Sequence, residues 1–388
     1  MKNKAGTDPA VLIAKKQVFV DQLKVNNTVN PLGIDTQVPR FSWVMQSSVR
    51  AQAQTAYQIL VATSEDRLTE QAADLWNTGK VLSDRSNNIS YAGAALTSKT
   101  KYYWTVRVWD KNGNPSALGA PAVFETALMS PDEWEADWIQ APDTIALPMF
   151  GKSFMLEKDV KSARAYVSGV GLYEMTVNGQ TVTDSVLEPG ESFFPKTILY
   201  ATYDLTSRLK KGENAVGVML GRGFYKVIPG TDRHQHAQAD YGDLQLIAQI
   251  EVTYADGTKT VVATDETWKT AASPITFLDW FGGVDYDANL ELPGWNRPGY
   301  SYSDWESALV SSGPEGTLVA QYYPTTKVME QWQAVEVLNP EPGVYTIDFG
   351  SNFAGSFACR RPREPASSCI LRRCLAETGS SIRHPSIT

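Results

Sequence analysis

The sequence predicts an all-β chain of tandem β-sandwich domains, and three observations carry that prediction. Short apolar runs alternate with polar residues at period two, as where Tyr173, Met175 and Val177 interleave with Glu174, Thr176 and Asn178. Such alternation marks a strand with one buried face. Tight-turn dipeptides separate the runs, Asn178-Gly179 and Asp256-Gly257 among them. Asn-Gly is a strong hairpin signal because a type I′ turn needs positive φ at both central residues. The 11 Trp, 17 Tyr and 13 Phe make an aromatic share that suits sandwich cores and sugar-contacting surfaces alike.

The length of 388 residues suggests two or three domains, and 43% apolar residues suffice for real cores. The net charge of −8, with no basic block in the first 355 residues, makes nucleic acid and anionic membranes poor partners. No apolar run approaches the ~20 residues of a membrane span. The apolar stretch Ala10 to Ala14 is shorter than the ~7–15 residues of a signal-peptide core. The expectation is a cytoplasmic protein, or an exported one with its signal removed.

In chain order, residues 18–126 read as the first sandwich. Pro31-Leu32-Gly33 and Pro39-Arg40 punctuate its entry, and Phe41-Ser42-Trp43 opens a strand. Tyr57 to Ala62 is the next clear strand, and Ser64 is placed to cap a short helical turn toward Leu75. Leu96, then Tyr102, then Tyr103 to Trp109 resemble the tyrosine corner and sixth strand of a fibronectin type III domain. Asp110 to Gly113 is a hairpin turn. Residues 127–148 form a linker in which Trp134 and Trp138, four apart, would stack on one face of a helical turn and wedge domains together. Residues 149–270 read as a second, jelly-roll-like sandwich. Strand Ala165, Val167 and Gly169 alternate with Tyr166, Ser168 and Val170, which predicts one buried face there too.

Residues 271–334 form a β-rich connecting segment. Its stretch 275–305 holds Asp279, Asp285, Asp287, Glu291 and Asp304 beside Trp280, Tyr286, Trp295 and Trp305. A sugar platform has this composition: rings under the apolar sugar face and carboxylates on hydroxyls. The candidate substrate contacts are Trp280, Asp285, Asp287 and Trp295. Residues 335–355 read as the start of a third, incomplete β-domain. Residues 356–388 hold six Arg, six Ser and all three Cys, with no Val, Tyr, Trp, Asp, Asn, Gln or Lys. That break resembles a translated wrong frame or an altered chain end, and a disordered tail is expected.

Two clusters invite a metal reading. Cys359, Cys369 and Cys374 lack the short Cys-x(2–4)-Cys pair with which zinc sites usually begin. The polar loop from Lys226 to Gly242 carries Asp232, His234, His236 and Asp240, followed by Asp243, and suits either a metal and proton-transfer role or a solvated loop.

An ordered set of motifs resembles the amino-terminal β-domains of bacterial α-L-rhamnosidases, from about Val25 to Gly355. It runs Tyr173-Glu174 to Val177-Asn178-Gly179, then Leu187-Glu188-Pro189-Gly190, then Tyr200 to Thr206, then Gly212 to Tyr225, and closes on Asp348-Phe349-Gly350 to Ala354-Gly355. The resemblance implies a family of inverting glycoside hydrolases that release terminal α-L-rhamnose, with L-rhamnose-containing glycosides or polysaccharides as partners. It implies that catalysis lies on a large (α/α)₆ barrel following these domains. The acidic motif of that barrel occurs nowhere in the 388 residues, so no catalytic residue is placed here, and the chain by itself is expected to be inactive. Val284 and Asn289 stand where the family pattern has Glu and Arg.

Two other functional classes stay open: a carbohydrate-binding module and a structural scaffold. Some relatives carry a calcium-dependent rhamnose-binding sandwich in this region. Calcium oxygens could come from Asn178, Asp184, Asp204, Asp232 or Asp240. Against this, Arg222 sits between Gly221 and Gly223, where the family pattern often has Asn or Asp, and would disfavour a nearby cation.

Overall fold

Asn178 and Gly179 both take left-handed backbone, at φ +53° and +78°, and turn Val177 back onto Gln180, as the Asn-Gly signal predicts. The computed structural model describes residues 18–228, 239–280, 282–342 and 344–352. They fall into two units, one ending at Trp134 and including Leu318–Pro324, the other made of Glu135–Thr317 and the residues from Thr325 on. Among the described residues the only helical pieces are three 3₁₀ turns of three residues each. No described helix is long and apolar enough to cross a membrane.

The first unit contains β1 (Phe19–Val25), β2 (Arg40–Gln46), β3 (Ala56–Ala62), β4 (Trp76–Asn77), β5 (Val81–Leu82), β6 (Ile89–Ser90), β7 (Lys101–Trp109) and β8 (Ala122–Glu125). One sheet runs β1-β2-β6; the other runs β4-β3-β7-β8, with β5 also on β3. Phe41, Trp43, Ile59, Trp104, Val106 and Phe124 fill the space between them, and Phe41 meets Trp104 edge-on at 4.6 Å. Strand β3 is buried along its whole length. Ile59 and Val61 enter the main core, while Leu60 and Ala62 form a second cluster with Leu68. That explains its continuous apolar run. The tyrosine corner is present: the Tyr102 hydroxyl accepts the Thr97 N–H at 2.7 Å and reaches the Thr97 carbonyl at 3.3 Å.

Two local expectations change. Ser64 does sit at the N-cap of a turn, Glu65–Arg67, but its side chain makes no capping bond. Trp134 and Trp138 do not share a helical turn. The turn here is Pro131–Glu133, opened by a Ser130–Glu133 capping box; Trp134 leaves it in extended geometry and Trp138 opens a strand. Glu133 accepts backbone N–H groups of Met129 and Ser130 as well as the Ser98 hydroxyl, which fixes the start of this turn.

The second unit contains β9 (Trp138–Gln140), β10 (Pro148–Leu156), β11 (Val160–Gly169), β12 (Leu172–Val177), β13 (Gln180–Thr181), β14 (Ser185–Val186), β15 (Thr197–Asp204), β16 (Gly212–Gly221), β17 (Lys226–Val227), β18 (Ala239–Asp240), β19 (Gln245–Tyr254), β20 (Lys259–Ala263), β21 (Lys269–Ala272), β22 (Ile275–Asp279), β23 (Gly283–Tyr286), β24 (Glu306–Ser307) and β25 (Leu309–Ser311). They are followed by β26 (Thr317–Ala320), most of which falls in the first unit, and then by β27 (Thr326–Lys327), β28 (Glu336–Glu341) and β29 (Val344–Asp348) in the second. One sheet runs β13-β12-β16-β10-β21-β24, and the facing one includes β25-β9-β19-β11-β15, with β20 on β19. Phe150, Met175, Val177, Val216, Val218 and Leu220 are buried in the first; Ala165, Val167, Leu246, Ala248 and Ile250 are buried in the second. Strand β21 crosses residue 270, and β24 and β25, from the segment 271–334, extend both sheets. Strands β28 and β29 form a separate hairpin.

Strand β11 corrects the one-buried-face expectation. Every residue from Ala165 to Gly169 is buried. The strand lies mid-sheet between β15 and β19. On its second face Tyr166 packs edge-on against Tyr200 and the Ser168 hydroxyl donates to the Leu199 carbonyl. The chain just before β9 crosses the same face, where Gln249 accepts the Glu135 N–H.

Replacing Tyr102 by Phe removes the partner of a partly buried backbone N–H. Chemical denaturation of the variant should show a loss of about 1–3 kcal/mol with an unchanged m-value.

Candidate functional site

The stretch 275–305 divides into two structures. Its first half is the β22–β23 hairpin, which ends against the turn after β16. Asp279 is 3% exposed and accepts the N–H groups of Ile228 (2.9 Å) and Gly282 (2.8 Å). The Arg222 guanidinium donates to the Leu278 carbonyl at 3.1 Å. Burial lowers the Arg222 pKa and the neighbouring Asp279 charge opposes that shift. Trp280 is half-buried, its ring 4.4 Å from that of Phe224. Arg222 thus has a buried anionic neighbour, a pairing that residue order alone did not reveal.

Asp285 is half-buried on β23, opposite Phe277, and its carbonyl accepts from the Thr276 hydroxyl. Asp287 caps the turn Ala288–Leu290, with Oδ1 accepting both the N–H and the side-chain amide of Asn289 at 2.9 Å. Tyr286 donates to Glu291 at 2.6 Å; burial and then that carboxylate push its phenol up to about 12.

The second half, residues 292–305, lies on the outer face of the β12-β16-β10 sheet. Two glycines that pair across β10 and β16, Gly151 and Gly217, make that face flat. A Cβ on Gly217 would come within 2.5 Å of the Trp295 ring, and one on Gly151 would strike the Tyr302 ring. Trp295 stacks on Trp305 at 5.9 Å, and the Tyr302 ring meets Trp305 edge-on at 5.1 Å. The Tyr302 hydroxyl donates to the Trp295 carbonyl at 2.7 Å, and Asn296 donates to Thr176 at 3.0 Å. Trp280 therefore packs on a ring, the Asp287 carboxylate caps a turn and Trp295 stacks on Trp305, while Asp285 is bonded through its backbone carbonyl.

The oxygens considered for calcium are spread over separate places. The Asn178 amide bonds the Arg208 carbonyl and the Ala215 N–H. Asp184 pairs with Lys327 at 2.8 Å, Asp204 with Arg164 at 2.9 Å, and Asp240 with Lys226 at 3.7 Å. Among the described residues no group of three or more His, Cys, Asp or Glu could hold a metal ion. Asp232, His234, His236, His384, the three cysteines and the tail from Ser356 lie outside the described residues.

One buried acid was not anticipated. Glu188, 3% exposed, accepts from the Tyr203 hydroxyl, which lies 2.6 Å from the Tyr173 hydroxyl contributed by the facing sheet. Burial raises the Glu188 carboxyl above its ordinary range, while Tyr203, Ser185 and Lys327 oppose the shift. Both tyrosines are pushed well above 10, again chiefly by burial. Around it β14 pairs with β27, and Ser185 bonds Thr325 at 2.8 Å. The sequence signal was the period-two placement of Tyr173 and Tyr203 on inward faces, beside a glutamate in an otherwise ordinary loop.

Residues 158–330 match the family described as alpha-L-rhamnosidase N-terminal domain, and residues 20–130 match the Rha78A-like N-terminal immunoglobulin domain. An α-L-rhamnosidase of Formosa agariphila is 35% identical over 366 residues, covering 86% of this chain and 38% of that protein. One of Alteromonas sp. is 31% identical, with 89% and 39% covered. The solved α-L-rhamnosidase of Dictyoglumus thermophilum superposes with a TM-score of 0.77 at 36% identity, covering 87% of this chain and 39% of that one. The chain spans about two fifths of the length of these relatives.

The raised Glu188 carboxyl sets a pH dependence. The folded state holds this proton more tightly than the unfolded chain, so the stabilisation is full below the unfolded glutamate value of about 4.3 and is lost as pH rises through the folded value. Glu188→Gln keeps an acceptor for Tyr203 and removes the titration. Thermal melts across pH 4–8 should fall less steeply with pH in the variant than in the parent; parallel slopes would remove Glu188 from this role.

Proposed function

The chain belongs to the α-L-rhamnosidase family as its amino-terminal β-domains, and from that premise we propose that it is the non-catalytic portion of an enzyme acting on L-rhamnose-containing glycosides. Glycoside hydrolysis in this manner needs two carboxyl groups facing each other across the scissile bond, ~6.5–9.5 Å apart for an inverting enzyme. The observation that supports the reading is how the carboxylates of the acid-rich stretch are engaged. Asp279 is held by two amides, Asp287 caps a turn, and Glu291 accepts from Tyr286. Glu188, elsewhere in the sandwich, is buried against tyrosines. These groups serve the fold.

A second reading, carbohydrate binding, is favoured by Trp280. Its ring is half-exposed at the end of the β22–β23 hairpin, with Phe224, Asp279 and Arg222 alongside. Asp285 and Asp287 follow on the same hairpin and turn.

The purified chain should show no turnover of an aryl α-L-rhamnoside. Turnover that persists through repurification and is lost in Asp285→Asn or Asp287→Asn would overturn the non-catalytic assignment. Calorimetric titration with L-rhamnose, with and without calcium, separates the second reading: saturable heat that disappears in Trp280→Ala supports binding at the hairpin.

A further inference from the structure

Away from that hairpin, the second unit has a cleft of about 310 Å³ on the outer face of the β10–β21 pair, lined by Lys152, Ser153, Thr267, Lys269, Tyr302 and Ser303 and floored by Gly151. We propose that this cleft binds an oxyanion, a carboxylate or sulfate group carried by a saccharide. The saccharide half of the inference rests on the proposed function, and the oxyanion half does not.

Charge balance is the first argument. The chain carries a net charge of −8, yet two lysines are among the residues that line this one cleft. Lys152 donates to the Thr267 hydroxyl and pairs with Asp265 at 3.9 Å, a carboxylate that also accepts from Thr267. Lys269 donates to the Ser307 hydroxyl at 2.9 Å and has no carboxylate partner among the described residues. Lys269, bonded only to a hydroxyl, keeps its charge available, and an anion in the cleft would accept charge-assisted hydrogen bonds from it.

Shape is the second argument. Because Gly151 has no side chain, the Tyr302 ring lies directly on the sheet and forms one wall. The Tyr302 phenol is fixed by its bond to the Trp295 carbonyl and kept protonated, its pKa raised by burial. Thr267 and Ser303 add hydroxyls around the same space, groups that can bond the remaining oxygens of an anion or the hydroxyls of a sugar ring. The combination of two cations, neutral donors and an aromatic wall favours a charged sugar substituent over a neutral rhamnose ring.

The test is calorimetric titration of the full chain at low ionic strength with sodium sulfate, sodium D-glucuronate and neutral L-rhamnose. The comparison is Lys152→Gln/Lys269→Gln against a control, Lys158→Gln, whose lysine pairs with Asp256 elsewhere. The expected result is saturable binding of sulfate and glucuronate, weakened by added sodium chloride, cut at least tenfold in the double variant and unchanged in the control. Matching thermal melts of the variants exclude misfolding as the cause. Absence of saturable binding by either anion, or equal binding in the double variant, would overturn the site. Sulfate binding without glucuronate binding would overturn the saccharide assignment and leave the hydrolysis test of the family function untouched.

Discussion

Two missing side chains govern the second sandwich. Gly151 and Gly217 pair across β10 and β16 and leave the outer face of the sheet flat, so that the Tyr302 and Trp295 rings rest on backbone. Aromatic rings in such contact bury large apolar areas and add edge-to-face and stacked geometry with Trp305. The segment 292–305 is thereby fixed as a lid on the sheet. Its end then delivers β24 to the edge of one sheet and β25 to the edge of the other. The cleft beside Lys152 and Lys269 exists because the same ring stands on the same glycine.

Each buried acid of this unit accepts from at least one donor, Glu188 through one of its two oxygens. Asp279 has two backbone amides and an arginine beside it. Glu188 has Tyr203, and Tyr203 has Tyr173. A buried carboxylate without such donors would be far more costly than one with them. The matching explains why an acid-rich stretch that reads as a sugar platform also works as framework. The exposed acids behave differently, pairing with lysine or arginine in separate places, and such surface pairs contribute little to stability.

Local signals were legible in the sequence, and long-range register was not. The Asn178-Gly179 turn, the Tyr102 corner and the alternation of β12 depend on residues close in the chain, and each is as expected. The all-β class and the family followed from these and from motif order. The burial of both faces of β11 depends on neighbours far away in sequence, so Tyr166 and Ser168 read as an outer face although they are covered. The helical pairing of Trp134 with Trp138 failed because the turn is only three residues long and the backbone is already extended at Trp134. The four candidate contacts Trp280, Asp285, Asp287 and Trp295 were chosen by residue type. The structure gives Trp280, Asp287 and Trp295 separate local partners, which composition could not show. Glu188 escaped notice because its partner Tyr203 comes from a later strand of the facing sheet.

The dependence on a bare glycine face is open to a direct measurement: a double-mutant cycle on Gly151→Ala and Tyr302→Ala, read by denaturant unfolding. The three atoms nearest to a Cβ at Gly151 all belong to Tyr302, so the clash is confined to one pair. The account predicts that Gly151→Ala costs about 1–3 kcal/mol in the parent and far less once the ring is gone, a coupling well above 0.5 kcal/mol. Costs that simply add would contradict it, because Gly151 would then not be the seat of the lid.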